Sequence, residues 1–522
     1  MTASGLGDSC PRPMPRLSPG LLALLFGAGL AARLAFLGIG FSPLLPDSYS
    51  YWDPAVSLTQ GTGYSQGGQP TAFRPPTYPL FLAAIISFAG PSLRRVLLVQ
   101  ALVVSSLGPG LAWWLRRHGF PSVAAAGTGF LVALDPFLVA ASGFILTEAL
   151  GAVLLLGMVM ALQSALSHPS WGRWTLVGLL AGAVGLNTPN TLVLLPFLFF
   201  WLALWRPPSL RTILHWGIAG VLVLACIGAW AGRNQIVLGK TIPVRSTGFA
   251  WLVWATTEYE SNWLPNPDAP EFQRLMQRSD QIIGGRGLHD AEGDLLREAW
   301  RNVRSRPFAV LARVAKANFW AWVEIPGGVR VIGRHRVVRW GLLVFHQLQL
   351  LAFVVGVVLV WRDRTSGVVG LGIGCVAYFV LSLMLMFPIP RYYIPILPMV
   401  DMISAAGAIG WWQRRRVAGA PASVAAGAPG GGRILPRLCA ASPGTHTATS
   451  ATPGLRIPAP DSRGPGGTLD RQTRIEDQRP TAALPTGDED EPCSRSPMRR
   501  PAKWLRGWHA FSQLSSSWCW AW

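Results

Sequence analysis

Long stretches without a charged side chain recur along this chain and predict its architecture. One of them, residues 365–388, contains no Asp, Glu, Lys or Arg. A bilayer core is about 30 Å thick, and about 20 apolar helical residues cross it. Apolar runs fall at about 21–41, 96–115, 122–142, 146–166, 174–187, 190–205, 212–230, 341–361, 368–388 and 393–412. This pattern predicts an all-α polytopic membrane protein with about ten transmembrane helices.

Arginine clusters between these runs predict the orientation of the chain. Lysine and arginine are enriched in the short cytoplasmic connections of membrane proteins. The clusters are Arg12 and Arg16, Arg116 and Arg117, Arg173, Arg206 and Arg211, Arg362 and Arg364, and Arg414–Arg416. With these inside, residues 1–18 form a cytoplasmic N-terminus and residues 19–412 form the transmembrane domain. Its two large extracytoplasmic loops are predicted at 42–95 and 231–339.

Three segments depart from the simple pattern of spans. Tyr78–Gly90 is apolar but short, and a full span there would place the later arginine clusters outside, so a re-entrant or interfacial helix is predicted. Asn187, Pro189 and Asn190 break the chain between two short runs, and such a break at membrane depth needs protein or water around it. Asp290–Phe319 has helical periodicity and a basic polar face, which is typical of a helix on the membrane surface.

Composition supports a membrane protein and excludes other classes. Half of the 522 residues are hydrophobic and 13% are charged, against roughly 25% charged residues in soluble domains. The net charge of +20 comes from short basic clusters between apolar runs, so no nucleic acid is predicted as a partner. The six cysteines have no CxxC or Cys/His spacing, which predicts neither a disulfide framework nor a zinc site. Residues 413–522, rich in Pro, Gly, Ser and Arg, are predicted to be a disordered cytoplasmic tail.

The first loop carries the clearest candidate chemistry. Asp47 follows the first apolar run by a few residues, and Tyr51 continues from it at helical spacing. A carboxylate at the boundary between lipid and water suits a general base that deprotonates a hydroxyl acceptor, although Asp is also a favoured helix N-cap. Gly61 and Gly63 permit a tight turn. The stiff segment that begins at Arg74 contains two prolines and leads back to the membrane.

Outside the first loop, three charged residues stand where charge is unexpected. Glu148 lies at the outer end of the fourth run, and acids at membrane depth usually face a cavity or a pathway. An interfacial side chain that reaches water is the alternative for Glu148. Arg233 and Arg391 lie on the side that the positive-inside rule disfavours. An anionic ligand such as a phosphate explains both arginines, and snorkelling to lipid headgroups explains them equally.

The motifs of the first loop resemble those of one family. The matching segments are Asp47-Ser48 with Tyr51, Gly61-Thr62-Gly63-Tyr64, Pro70-Thr71-Ala72-Phe73-Arg74-Pro75-Pro76-Thr77-Tyr78-Pro79, Thr147-Glu148, Arg233-Asn234, Ser246-Thr247 and Arg391-Tyr392. Over about residues 20–412 the chain resembles the bacterial polyprenol-phosphate-dependent C-type glycosyltransferases. These are protein O-mannosyltransferase-like proteins of family 39, and the match is to the Rgt-like subgroup.

This resemblance, together with the charges described above, assigns a role to each matched residue. It implies the C-type glycosyltransferase fold. Asp47 and Glu148 are implied as catalytic residues, with Asp47 as the general base. The residues expected to bind the donor phosphate are Arg74, Arg233 and Arg391. The residues expected to line the pocket are Tyr51, Tyr64, Tyr78, Asn234 and Tyr392.

Two departures from the family pattern concern metal and phosphate. Some relatives carry an acid before the double proline, where it helps to bind metal, whereas this chain has Arg74 there. Family members often have Thr-Arg-Pro or Thr-Lys-Gly after the fifth run, whereas this chain has the segment 187–190, Asn-Thr-Pro-Asn. A basic ligand for the phosphate is therefore expected to be missing there. No cofactor is therefore assigned, and a divalent metal is left open.

The activity that the resemblance implies is sugar transfer. An inverting glycosyltransferase is expected to move a sugar from a polyprenyl-phosphate donor to a lipid, glycan or protein acceptor, in contact with membrane lipids. The expected location is the bacterial cytoplasmic (inner) membrane, with the active site facing outside. Two alternatives stay open: a noncatalytic lipid-binding relative, and a transporter or flippase. A transporter would be supported by matching helix breaks in two repeats, and the sequence has one such break and no repeat.

Overall fold

The computed structural model of the chain describes residues 17–39, 43–205, 207–246, 249–259, 269–324, 336–361, 367–384 and 389–418. These residues belong to one compact unit. Residues 419–522, which make up most of the tail predicted to be disordered, lie outside the described residues. The regular structure of the described part is helical apart from one antiparallel two-stranded hairpin.

The described residues form eighteen α-helices and two short β-strands. In chain order they are α1 (Pro19–Leu37), α2 (Pro46–Thr59), β1 (Ser65–Gln66), β2 (Gln69–Pro70), α3 (Thr77–Ala89), α4 (Leu93–Ser105), α5 (Leu107–Arg117), α6 (Ser122–Leu134), α7 (Pro136–Ala141), α8 (Thr147–Ser167), α9 (Trp171–Asn187), α10 (Leu194–Trp205), α11 (Leu210–Leu238), α12 (Phe249–Glu258), α13 (Pro270–Ile283), α14 (Glu292–Ser305), α15 (Pro307–Val323), α16 (Arg336–Val360), α17 (Gly367–Met384) and α18 (Leu397–Ala418). Short 3-10 segments cover Pro189–Thr191 and Pro390–Ile396.

Seven apolar helical segments among the described residues are long enough to cross a membrane. They are Pro19–Leu37, Leu93–Arg117, Thr147–Ser167, Leu210–Leu238, Val337–Val360, Gly367–Met384 and Pro390–Ile409. Three shorter apolar segments are Thr77–Ala89, Ser122–Leu134 and Pro189–Leu204. The prediction of an all-α polytopic membrane protein is confirmed.

Two helices run past the boundaries that the apolar runs predict. α11 continues beyond residue 230 to Leu238 and ends where Gly239 adopts a left-handed φ of 67°. Its last turns stay helical because Trp230 and Asn234 bind backbone carbonyls of the following loop. α18 continues beyond residue 412 to Ala418, because the stretch between residue 412 and Gly419 contains no glycine or proline.

The third apolar run is divided instead of continuous. Asp135 stands between α6 and α7, and its Oδ1 accepts the backbone N–H groups of Phe137 at 2.8 Å and Leu138 at 2.9 Å. Pro136 is the first residue of α7, where its missing N–H leaves no acceptor unsatisfied. An Asp N-cap followed by proline therefore restarts the helix inside the run.

The second loop is a small helical layer with its own core. The helices α12, α13 and α14 pack around buried apolar side chains that include Trp254, Phe272 and Leu295. The helical periodicity predicted for Asp290–Phe319 is present, but Pro307 divides it into α14 and α15. Deletion of this layer would therefore remove a packed unit rather than a flexible connection.

A polar network lies inside the helical bundle. The Gln349 side-chain amide donates to Asp135 Oδ2 and to Asp401 Oδ1, both at 2.8 Å. It therefore links α16 to α18 and to the break between α6 and α7. Arg33 in α1 is fully buried nearby and donates to the carbonyls of Gly29 and Ala133, each at 2.9 Å. Hydrogen bonds of this kind are what permit polar side chains within an apolar bundle.

α16 and α18 approach so closely that their backbones touch. A Cβ added at Gly407 would lie 2.3 Å from Gly356 Cα, and one added at Gly356 would lie 2.5 Å from the carbonyl oxygen of Ile403. Small residues permit such approaches between membrane helices, where packing rather than water exclusion drives association. These two glycines therefore set the distance between the helices.

We expect Gly356→Ala to lower the thermal unfolding temperature of the purified protein in detergent. The added methyl has no room between the helices, and overpacking of this kind costs about 1–3 kcal/mol. Gly341→Ala in the same helix is the matched control, because nothing lies within 4 Å of the position of its Cβ. Equal unfolding temperatures for the two variants would contradict the close contact.

Candidate active site

Asp47 lies in the first turn of α2, and only 1% of the residue is exposed. The N-cap position belongs to Leu45, whose backbone N–H donates to Ser48 Oγ at 3.0 Å. Ser48 rather than Asp47 thus satisfies the end of the helix. The alternative in which Asp47 is a helix N-cap is therefore wrong, and its carboxylate is directed at other partners.

Arg74 and Arg391 each bind one oxygen of the Asp47 carboxylate. Arg74 Nη2 donates to Asp47 Oδ1 at 2.7 Å, and Arg391 Nη2 donates to Asp47 Oδ2. Both arginines are buried, with 3% and 7% of their surface exposed. They lie 27 and 344 positions from Asp47 in the sequence. The carboxylate therefore joins the first loop to the 3-10 segment that precedes α18.

Glu148 extends this cluster through Arg391. Arg391 Nε lies 3.3 Å from Glu148 Oε1, which is an ion pair. The N–H is not aligned with that oxygen, so the contact is ionic without a hydrogen bond. Glu148 also stands in the first turn of α8, where the helix dipole favours a negative charge. Glu148, Arg391, Asp47 and Arg74 thus form one chain of alternating charge.

Aromatic rings and one side-chain amide pack against this row of charged side chains. The Arg74 guanidinium carbon lies 4.8 Å from the centroid of the Tyr51 ring. Tyr51 meets Tyr78 edge to face, with 5.4 Å between ring centroids. The Tyr78 hydroxyl donates to Gln100 Oε1 at 2.8 Å, and Gln100 Nε2 donates to two backbone carbonyls in the α7–α8 connection. The cluster is therefore anchored to α4 and to the connection between α7 and α8.

Arg233 and Asn234, at the end of α11, hold the two loops together. Arg233 donates to the carbonyls of Thr71 and Tyr64, both at 2.8 Å. Asn234 Nδ2 donates to the carbonyl of Ile242 at 2.8 Å. The role of Arg233 in donor-phosphate binding stays a prediction, and these contacts favour a structural role because its guanidinium already binds backbone carbonyls.

Tyr64 shapes the loop that carries Arg74. Its hydroxyl donates to the carbonyl of Arg74 at 2.9 Å, and its ring meets Trp230 with 5.0 Å between centroids. Burial raises the pKa of Tyr64 from its ordinary value, so the phenol remains a neutral donor. The pocket role of Tyr64 stays a prediction, and the contact shows that Tyr64 fixes the backbone of Arg74.

The predicted site residues fall into two groups in space. One group surrounds the Asp47 carboxylate: Asp47, Arg74, Glu148, Arg391, Tyr51 and, next to Arg391 in the chain, Tyr392. The other group supports it: Tyr64, Tyr78, Arg233 and Asn234. The sequence motifs grouped these residues but did not predict this division, and their catalytic and binding roles stay predictions.

Two contributing residues were not predicted from the sequence. Ser50 Oγ accepts from Arg74 Nε at 2.8 Å and donates to the carbonyl of Asp47. Gln100 supplies the side-chain amide oxygen that accepts from the Tyr78 hydroxyl. A signal existed for each, because Ser50 lies one helical turn after Asp47 and Gln100 is a lone amide within an apolar run.

The donor set around Asp47 does not fit a divalent metal. Within the described ranges, no group of three or more Asp, Glu, His or Cys side chains is placed to hold a metal ion. Asp47 and Glu148, the two acids of the site, both contact the Arg391 guanidinium. A cation would have to replace an arginine that these carboxylates already bind. We therefore derive no catalytic step through a metal.

The arrangement can perform two chemical tasks. A buried carboxylate can accept a proton from a hydroxyl group once one of its partners moves away. Buried guanidinium groups can stabilise a phosphate, which they bind through paired N–H donors. Asp47 supplies the first capacity, and Arg74 and Arg391 supply the second within hydrogen-bond distance of it.

Comparison with known proteins finds a family similarity over part of the chain. The sequence model of the dolichyl-phosphate-mannose-protein mannosyltransferase family matches residues 73–231. No curated protein matches the chain significantly. A solved structure with similarity is the archaeal oligosaccharyltransferase AglB from Archaeoglobus fulgidus, in complex with an inhibitory peptide and a dolichol-phosphate, at 11% identity and a TM-score of 0.39. The similarity covers 77% of this chain and 52% of that one, so this chain spans about half the length of AglB.

The family match covers the chain from the second half of the first loop into the last third of α11. It contains Arg74 and Glu148, while Asp47 and Arg391 lie outside it. The resemblance predicted from the first-loop motifs is confirmed: over residues 73–231 this polytopic membrane protein is similar to the dolichyl-phosphate-mannose-protein mannosyltransferases.

Proposed function

We propose that this protein is an inverting glycosyltransferase that moves a sugar from a polyprenyl-phosphate donor to a hydroxyl group of a lipid, glycan or protein acceptor. The supporting observation is the Asp47 carboxylate, buried between Arg74 and Arg391 where the first loop meets the bundle. A base and two phosphate-binding groups are thus within one side-chain length of each other. The proposed location is the bacterial cytoplasmic membrane, with the site facing outside.

The proposed reaction is a single displacement. The acceptor oxygen attacks the anomeric carbon and forms the new glycosidic bond, while the bond between that carbon and the phosphate oxygen breaks. The acceptor proton passes to Asp47, and the bonding electron pair leaves with the lipid phosphate. One displacement inverts the anomeric centre. The guanidinium groups stabilise the leaving phosphate, whose negative charge grows in the transition state.

In this scheme, the contacts of Asp47 require an exchange before catalysis. Both of its oxygens accept from arginines, so neither is available to a hydroxyl group. A donor phosphate competes with the carboxylate for Arg391, which frees Oδ2. Arg391 keeps Glu148 as its second anion during this exchange. Donor binding thus prepares the base, and Glu148 acts as a positioning residue for the arginine.

We expect Asp47→Asn to reduce sugar transfer by about 10²–10⁴-fold, the usual contribution of a general base. The measurement is transfer from a radiolabelled polyprenyl-phosphate sugar by the purified, correctly inserted variant. Asp53→Asn is the matched control, because Asp53 lies in the same helix but is partly exposed and outside the ion cluster. Near-normal turnover of Asp47→Asn would refute the role of Asp47 and favour a noncatalytic relative.

Arg391→Ala is expected to weaken donor binding by roughly 10- to 100-fold. One charge-assisted hydrogen bond contributes about 1.5–3 kcal/mol, at about 1.4 kcal/mol per tenfold. Arg391→Lys should recover only part of the loss, because an ammonium group lacks the planar fork. Donor titrations of each variant supply the measurement. Arg339→Ala, which removes an exposed arginine at the start of α16, is the control, and equal donor affinity across all variants would show that Arg391 does not hold the phosphate.

The second loop is expected to lie outside the cell. Gln277 is exposed in α13, whereas the nearby Gly284 has a φ of 58° that disfavours a side chain. In a background without native cysteines, Gln277→Cys should react with a membrane-impermeant maleimide on intact cells. Gly172→Cys, between the fourth and fifth runs, should react only after lysis. The reverse pattern would place the site on the cytoplasmic side.

A further inference from the structure

Arg245 lies in the connection between α11 and α12, which is fixed against the first loop. The backbone N–H of Ser246 donates to the carbonyl of Ala72 at 2.8 Å. The carbonyl of Val244 accepts from Trp230 Nε1, also at 2.8 Å. The two neighbours of Arg245 in the chain are therefore held in place. Its side chain starts from a defined backbone position beside the segment that carries Arg74.

The guanidinium of Arg245 differs from those of Arg74 and Arg391 in having no anion. Its Nε is buried without a hydrogen-bond partner, and it forms no ion pair with any residue that the structure describes. Burial lowers the pKa of Arg245 from its ordinary value, yet an arginine remains charged in proteins. The residue is partly buried, but its Nε is a buried donor without an acceptor. Such a donor is costly to leave unsatisfied, so the side chain is available to a ligand.

The charges that surround Arg245 identify the ligand as an anion. Asp47 is within electrostatic range, but its two oxygens already accept from Arg74 and Arg391. Glu292, at the start of α14, is also in range, yet it lies 3.7 Å from His289 instead of pairing with Arg245. Three guanidinium groups, those of Arg74, Arg391 and Arg245, are thus close to the single carboxylate of Asp47, which binds only the first two.

We propose that Arg245 binds the phosphate of the lipid-linked substrate and is the residue that the second loop contributes to the donor site. This assignment rests on the proposed function for the identity of the lipid. A phosphodiester that links a sugar to a polyprenol carries one negative charge, which would give the Arg245 guanidinium the anion that it lacks among the described residues. The guanidinium fork can bind two of its oxygens at once.

In the proposed reaction, Arg245 would also stabilise the transition state, in addition to binding the donor. When the sugar leaves, the phosphodiester becomes a phosphomonoester, whose charge near neutral pH is about −1.5 to −2. Arg245 has no carboxylate to exchange for this phosphate, unlike Arg391. Its attraction therefore grows as charge develops on the leaving group, which lowers the barrier rather than only increasing donor affinity. The product phosphate should for the same reason bind more tightly than the donor.

Binding of radiolabelled polyprenyl monophosphate to the full-length protein in phosphatidylcholine nanodiscs tests this proposal without requiring turnover. Arg245→Gln should weaken binding by about 10- to 100-fold, the effect of one charge-assisted hydrogen bond, and Arg245→Lys should lie between that variant and the wild type. Arg301→Gln is the control. It removes the same charge from the same loop, at an exposed side chain that pairs with Glu298. Thermal unfolding of each variant verifies that it is folded.

Several outcomes separate this proposal from its rivals. Equal affinity of the wild type and Arg245→Gln overturns it, as does an equal loss in Arg301→Gln. The same binding experiment is repeated with inorganic phosphate and with phosphatidylglycerol nanodiscs as competitors. If either occupies the Arg245-dependent site as strongly as polyprenyl phosphate, the site is a general phosphate or headgroup site and the donor assignment is overturned.

Transfer assays on the same samples distinguish this proposal from the proposed function. Arg245-dependent binding in a wild type that transfers no sugar supports the site and refutes the glycosyltransferase. If Arg245→Gln binds polyprenyl phosphate normally while the wild type transfers sugar, the Arg245 site is refuted and the glycosyltransferase is supported. A wild type that binds no polyprenyl phosphate refutes both.

Discussion

The Asp47 carboxylate, shared by Arg74 and Arg391, is the interaction on which the geometry of the site depends. Charges removed from water cost several kcal/mol each unless they are closely paired. Asp47 is 1% exposed and both arginines are nearly as buried. The first loop and the segment before α18 must therefore converge on the first turn of α2. If one partner were lost, the others would remain as uncompensated buried charges.

This convergence needs a scaffold that the ion cluster cannot supply itself. Arg233 binds carbonyls of the first loop, and the second loop adds a backbone hydrogen bond through Ser246. The Tyr64 hydroxyl then donates to the carbonyl of Arg74 and fixes its backbone. The two loops consequently form one unit at the end of the bundle. Chemistry in the first loop depends on backbone contacts that the second loop and α11 provide.

The sequence by itself determined the class of the protein and the outline of its first loop. Apolar runs predict membrane helices because a bilayer imposes a minimum apolar length. Gly61 and Gly63 predict a turn, and both adopt a positive φ, at 73° and 80°. Helix ends were predicted less well. α11 extends to Leu238 and the third run is divided at Asp135, because capping and contacts with other segments decide where a helix ends.

Only the tertiary structure decided what each charged residue of the site contacts. Motifs placed Asp47, Arg74 and Arg391 in one site, but helix capping and headgroup contacts were equally compatible with their local sequence. Arg233 and Arg245 are both arginines after the seventh run, yet one binds backbone carbonyls and the other has no partner among the described residues. The physical reason is that local patterns fix the period of an element. The partner of a side chain depends on which distant segments pack beside it.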